Sequence, residues 1–275
     1  RFTFYVNHSE YLDYKKKDDN DIEPVEKKEL LIHFTNLGNI YTQESTTLML
    51  SRRGGKGSKI KLAKNEVIMQ TINDDNFSSL LAFSNKGKMY TLNIDDLPVN
   101  AKVNIAQYFE FENGEHITTA TSLARKNEVK YFTFITKNGM IKKTKASEYE
   151  HKRGKSLKAI NLKDDDEVVN VHFTNGEKVG ILTSYGNFVI IDTEEINPIG
   201  RATAGVRAIK LNEDDYVISS KSINDNDKLM ITTSKRGLIK KSSLSDFPVC
   251  NRGIKGKKIS GIRDEDKIVD FLTLD

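Results

Sequence analysis

Tyr131-Phe132-Thr133-Phe134-Ile135-Thr136-Lys137-Asn138-Gly139-Met140-Ile141 is the stretch on which the fold turns. A β-branched and aromatic run ends in an Asn-Gly pair, and two apolar residues follow at once. This is the signature of two short strands joined by a tight turn, in which Gly supplies the positive φ of a hairpin loop. The same arrangement recurs around Asn36-Leu37-Gly38, Asn85-Lys86-Gly87, Ser184-Tyr185-Gly186 and Lys235-Arg236-Gly237. Apolar pairs follow there too: Ile40-Tyr41, Met89-Tyr90, Phe188-Val189 and Leu238-Ile239. Successive glycines lie 49, 52, 47 and 51 residues apart, so the chain is a repeat protein.

A second landmark keeps step with the first. Glu66, Glu115, Glu167, Asp215 and Asp266 end acidic turns 28, 28, 28, 29 and 29 residues after their glycines. Apolar residues such as Val67-Ile68, Val168-Val169 and Ile268-Val269 follow, giving each unit a third strand. The units span approximately 29–79, 80–128, 129–177, 178–227 and 228–275, within a single domain over 1–275. Residues 1–28 read as a partial sixth copy: Phe4-Tyr5-Val6-Asn7-His8-Ser9 and Tyr11-Leu12 imitate the hairpin. Its acidic cluster, Asp18, Asp19 and Asp21, arrives roughly 16 residues early. A period near 50, strand signals throughout and only four prolines predict an all-β radial array of small sheets. No unit can cover its own two faces, so neighbours must stack.

The charge follows the repeat. Between hairpin and acidic turn lies a basic, glycine-containing loop. In the first complete unit it is Arg52-Arg53-Gly54-Gly55-Lys56-Gly57-Ser58-Lys59-Ile60-Lys61, with no acid. Later units carry Lys152, Arg153 and Lys155, then Arg201 and Arg207, then Arg252, Lys255, Lys257 and Lys258. The unit of Gly87 is the exception, with Lys102 alone. Hairpin ends add Lys142, Lys143, Lys145, Lys235, Arg236, Lys240 and Lys241. These positions share one phase of the repeat, so a radial fold is expected to gather them on one rim. A protein of net charge +4 can then present a basic belt, the footprint of a polyanion-binding surface. Glycines among the cations let backbone N–H groups approach phosphates. Cations without interleaved aromatics favour duplex backbone over stacked single-strand bases.

At this loop the chain resembles a known family. Arg52-Arg53-Gly54-Gly55-Lys56-Gly57 is similar to the gyrase box, Q-(K/R)-R-G-G-(K/R)-G, of the C-terminal domain of DNA gyrase A, with Ser51 in place of Gln. Arg201 to Ile209 and Lys142-Lys143-Thr144 with Ser147-Glu148-Tyr149 resemble later blades of that family. The resemblance implies a six-bladed β-pinwheel of four-stranded, strand-exchanging blades, with the first blade degenerate or partly missing. It implies double-stranded DNA as the partner, wrapped on the rim, with the box as the principal determinant. It implies association with the N-terminal breakage-reunion part of gyrase A and with gyrase B in a heterotetramer, ATP and Mg²⁺ being used elsewhere in that enzyme. The C-terminal domain of the topoisomerase IV counterpart of gyrase A is the alternative within the family. A propeller-type scaffold gripping an acidic protein is the alternative outside it.

Other chemistry is poorly represented. No G-x-x-x-x-G-K-[ST] spacing exists, so a phosphate-binding nucleotide loop is excluded. His8, His33, His116, His151 and His172 show no ligand spacing, and Cys250 alone completes no zinc site or disulfide. The acidic turns lack the ligand order of a calcium loop. No catalytic centre and no cofactor are expected in this chain, nor a metal. Of its 275 residues 37% are apolar and 30% charged, a globular balance with no 20-residue apolar run. Arg1 opens no signal-like layout, and the chain reads as a cytoplasmic, monomeric fragment.

Overall fold

The computed structural model describes residues 26–50, 52–55, 57, 59–123, 128–149, 156–259, 261 and 266–275. In the first repeat β1 (Glu29–Thr35) and β2 (Asn39–Glu44) form the hairpin, and β3 (Ile68–Asp75) returns beside β1. The second repeat has β4 (Ser79–Ser84), β5 (Lys88–Asn93), β6 (Lys102–Asn104) and β7 (Ile117–Ser122). The third has β8 (Tyr131–Thr136), β9 (Met140–Lys145), β10 (Ser156–Lys158) and β11 (Val168–Thr174). The fourth has β12 (Lys178–Thr183), β13 (Asn187–Asp192), β14 (Val206–Arg207) and β15 (Val217–Ile223). The fifth has β16 (Leu229–Ser234), β17 (Ile239–Ser243), β18 (Lys257–Lys258) and β19 (Ile268–Leu274).

The sheets are not built from one repeat each. Their orders are β3-β1-β2-β6, β10-β5-β4-β7, β11-β8-β9-β14, β15-β12-β13-β18 and β17-β16-β19. Every repeat from the second onward thus lends a short strand to the outer edge of the blade before it. The described residues form five blades, not the six expected, and the fifth has three strands. The physical reason is the count of complete units: five hairpins with five returning strands build five sheets. The partial copy expected at 1–28 lies outside the described residues up to residue 25.

All five hairpins close alike. The amides of Gly38, Gly87, Gly139, Gly186 and Gly237 donate to the carbonyls of Thr35, Ser84, Thr136, Thr183 and Ser234 at 2.9–3.1 Å. Each glycine has φ between +72° and +84°, the left-handed region that a side chain disfavours.

The acidic landmarks are clamps. Glu66 Oε1 accepts from Thr35 Oγ1 at 2.9 Å and Asn39 Nδ2 at 2.7 Å, while Oε2 accepts from the amide of Ala63 at 2.7 Å. Ser84 Oγ donates to Glu115 at 2.6 Å, Ser184 Oγ to Asp215 at 2.9 Å, and Ser234 Oγ to Asp266 at 2.5 Å. In the third blade the buried carboxylate is Asp166, which accepts from the amide of Asn138 at 2.8 Å, one residue before the Glu167 of the sequence pattern. Glu167 reaches sideways to Asn85 of the neighbouring repeat at 2.9 Å.

Apolar burial lies between blades. Leu30, Ile32 and Phe34 pack with Leu80, Ala82 and Tyr90; Phe83 packs with Phe132 and Phe134. Further cores join Ile135 and Ile141 to Val179 and Ile181, and Phe188 to Phe271. The returning strands β3, β7, β11, β15 and β19 pack serially along the inner side. Among the described residues four cores join the five blades in series, and none joins the fifth to the first. Exposed apolar side chains include Met49, Leu50 and Met69 of the first repeat and Leu238, Ile239 and Leu272 of the fifth.

Candidate nucleic-acid interface

The lent strands set the geometry of the rim. Each is anchored where its segment reaches the previous hairpin. The amides of Ile105, Ala159, Ala208 and Ile259 donate to the carbonyls of Gly38, Gly87, Gly139 and Gly186 at 2.8–2.9 Å. Immediately before each anchor stand Asn104, Lys158, Arg207 and Lys258, paired in register with Asn39, Lys88, Met140 and Asn187. All four side chains are exposed. Pairing therefore places a cation at one register position of three successive outer edges, with Asn104 as the gap.

Glycines in these loops serve this docking. A Cβ on Gly205 would sit 2.5 Å from the carbonyl oxygen of Ile141, and one on Gly256 would sit 2.7 Å from that of Phe188. These glycines let one backbone lie against the preceding blade, whereas the sequence suggested that they admit phosphate. Gly54 differs: φ is +83° and no atom lies within 4 Å of its Cβ position. It occupies the third position of an open turn closed by Gly55 N–H donating to Arg52 C=O at 2.8 Å. Arg52, Arg53, Gly54, Gly55, Gly57, Lys59 and Lys61 are all exposed.

The other expected rim cations divide. Lys145, Lys235, Arg236, Lys240, Lys241, Arg252, Lys255 and Lys257 are exposed, and Arg201 is half-buried. Lys142 and Lys143 are not surface cations, contrary to the expectation from sequence: they are 0% and 4% exposed. Lys142 Nζ donates to the carbonyls of Ala159 (2.8 Å) and Arg201, and Lys143 Nζ to that of Thr193 at 2.5 Å. The covering strand β14 and the segment leading to it bury them. Burial pushes the Lys142 ammonium down to about 7. Lys56, Lys152, Arg153 and Lys155 lie outside the described residues.

Lys102, the one cation of the second repeat's loop, is spent internally: its Nζ meets Glu66 Oε2 at 3.0 Å. Backbone and side-chain donors, the amide of Ala63 foremost and then Asn39 and Lys102, hold the Glu66 carboxyl down at about 2. Lys158 was missed by the sequence reading because it follows the glycine-rich part of its loop. Its signal is the residue-by-residue match with Arg207, each standing two positions before an isoleucine, Ile160 and Ile209.

A serial array of strand-exchanged blades with cations along its outer edges defines a propeller-like class with a basic rim. The chain belongs to the family of the DNA gyrase C-terminal domain, beta-propeller, whose model matches residues 29–73, 78–122, 130–175, 181–224 and 227–275. It is 36% identical over 183 residues to the A component of DNA topoisomerase 4 of Bacillus subtilis, covering 64% of this chain and 23% of that protein. It is 30% identical over 246 residues to DNA gyrase A of Lawsonia intracellularis, covering 86% of this chain and 29% of that protein. The chain thus spans less than a third of the length of these relatives. A crystal structure of the C-terminal domain of DNA topoisomerase IV superposes with a TM-score of 0.79 at 26% identity, covering 91% of this chain and 79% of that one. A DNA gyrase A C-terminal domain gives 0.66 at 23% identity, covering 90% of this chain and 83% of that one, a likeness of fold.

Proposed function

We propose that this array binds duplex DNA along its outer edge and bends it, as the wrapping module of a type II topoisomerase chain of the gyrase A kind. The observation that carries the reading is the row Lys158, Arg207 and Lys258 at one register position, extended by the exposed turn of Arg52 and Arg53. Cations at regular steps along an edge contact phosphates without reading base edges, so binding is sequence-tolerant. Bending 20–30 base pairs by 40–90° costs on the order of 1–6 kcal/mol. Phosphate contacts from several lent strands, each releasing counterions, offset a cost of that size. In the whole enzyme the wrap would present one duplex segment to another. The breakage-reunion part of gyrase A and the gyrase B partner would supply cleavage and ATP-driven passage, with Mg²⁺.

The experiment is ligation of nicked circular plasmid with rising amounts of the chain, followed by measurement of linking number. A progressive positive shift, lost in the Arg52→Ala, Arg53→Ala, Lys56→Ala variant, supports wrapping led by the box. Binding with no shift supports a second reading, bending of the topoisomerase IV kind, which the 36% identity and the 0.79 superposition favour. No binding at moderate salt would leave the scaffold reading.

A further inference from the structure

Lys142 in β9 and Lys240 in β17 stand three residues after their hairpin glycines, Gly139 and Gly237, so they occupy the same place in two blades. Lys142 Nζ donates to Ala159 O at 2.8 Å, and Lys240 Nζ donates to the equivalent carbonyl of Ile259. They differ in cover. β14 lies on β9, whereas no strand among the described residues lies on β17, and Lys240 is exposed. The burial of Lys142 is therefore the work of the fourth repeat's segment. That segment is docked by Ile199 N–H on Lys143 O at 2.9 Å and by the carbonyl of Arg201 on Lys142 Nζ.

The surroundings of Lys142 suit an amine better than an ammonium. Among the described residues it meets two neutral carbonyls, and a neutral amine carries two N–H donors. An ammonium would bring a third donor and a charge into a buried site. The charged groups whose fields reach it are Glu148, on the turn after β9, which favours the cation, and Arg201, which opposes it. Tyr149 on that turn directs its hydroxyl to Ala159 O at 3.0 Å, and from β8 the Phe134 ring lies 5.5 Å away. Desolvation outweighs the rest and leaves the group titrating near neutrality.

Lys142 is also linked, through backbone carbonyls, to two residues that carry exposed or half-buried cations, Arg201 directly and Lys158 through Arg201. Arg201 gives it a carbonyl and sends its own Nη1 to Lys158 O at 2.8 Å. The three residues knit the lent strands of the third and fourth repeats to one another. Resting on the DNA reading above, we propose that Lys142 is a positioning residue for this stretch of rim and that duplex binding at Arg201 draws a proton onto it. Phosphate oxygens brought to the Arg201 side chain offset the one cation that opposes protonation of Lys142, and its proton affinity rises.

The test is calorimetric titration of the chain with a duplex at pH 7 in buffers of differing ionisation enthalpy. Net proton uptake on binding is expected, and its disappearance in Lys142→Gln, which keeps two N–H donors but cannot be protonated. Equal uptake in both proteins, or none in the unmodified chain that binds, overturns the proposal. If Lys142→Gln does not fold, [13C]lysine NMR of the unmodified chain decides. One lysine titrating near neutrality and moving upward with duplex supports it; Lys142 titrating with the surface lysines overturns it. Failure of the duplex to bind at any pH sinks the DNA reading instead, and with it the coupling, while the Lys142 titration in the free chain is still measured.

Discussion

Lys102 of the second repeat reaches into the first and places its Nζ 3.0 Å from Glu66 Oε2, whose side chain is wholly covered. One contact thus closes a blade with a lent strand and removes a cation from the rim.

The clamp predicts acid sensitivity. Glu66 is held at about 2, and Glu115 and Asp266 are also held below their ordinary values, by hydrogen-bond donors opposing desolvation. A carboxylate whose folded pKa is depressed contributes stability that is complete above its unfolded value and is lost as pH falls through its folded value. The share of the melting temperature owed to these carboxylates should be complete near pH 6 and fall steadily from about pH 5 toward pH 2. Glu66→Gln should lower Tm at pH 7 and flatten that acid limb, which circular dichroism melts across pH would detect; an unchanged limb would show that other groups govern it.

Glycine substitutions should separate docked from open blades. At Gly139 an added Cβ would stand 2.9 Å from Ile209 O at a φ of +78°, whereas at Gly237, φ +84°, nothing lies within 4 Å. Both replacements incur the left-handed backbone cost, on the order of 1 kcal/mol. Gly139→Ala should be the more destabilising by a further ~1–3 kcal/mol, the usual range for overpacking. Urea unfolding of the two variants gives the comparison, and equal losses would mean that the anchor carbonyl yields freely.

The rim should be tunable at its gap. Asn104→Lys adds a cation at the register of Lys158, Arg207 and Lys258. Duplex affinity should rise and the log–log salt slope steepen by about 0.9, with Lys158→Ala having the opposite effect. Fluorescence anisotropy across a salt series measures both; a slope indifferent to position 104 would place the duplex elsewhere.

The inter-blade cores predict large cavity costs. Phe83 meets Phe132 at 5.4 Å and Phe134 at 5.7 Å between ring centroids, both edge-on. Phe83→Ala should cost about 3–5 kcal/mol. Denaturant unfolding checks this, and a loss under 1 kcal/mol would mean that the blades collapse onto the space.

The hairpins, the returning strands and the period were legible because each depends on local chemistry: a glycine at positive φ, β-branched runs and an acidic residue at fixed distance. Strand lending was not legible from those signals, since β14 is two residues long and its pairing with β9 joins different repeats. Only resemblance pointed to it. The same non-local pairing misled the reading of Lys142 and Lys143. On the hairpin alone they are cations on an edge strand, and only the cover from the next repeat buries them. Lys158 escaped for the converse reason, since its exposure follows from register and not from charge density. The count of six came from the resemblance together with the partial hairpin near Ser9, whereas the described residues hold five complete units.

Lending each outer strand backward fixes an order of assembly. β2 ends at Glu44, but its outer neighbour β6 begins at Lys102, so 57 residues must follow before the first blade is whole. During synthesis from the N-terminus every blade waits, three-stranded, for its successor. The nascent chain therefore carries one open edge that moves forward with the ribosome, and among the described residues no strand pairs with the outer edge of β17. Maturation of this array is a relay, in which each blade offers its successor the same template.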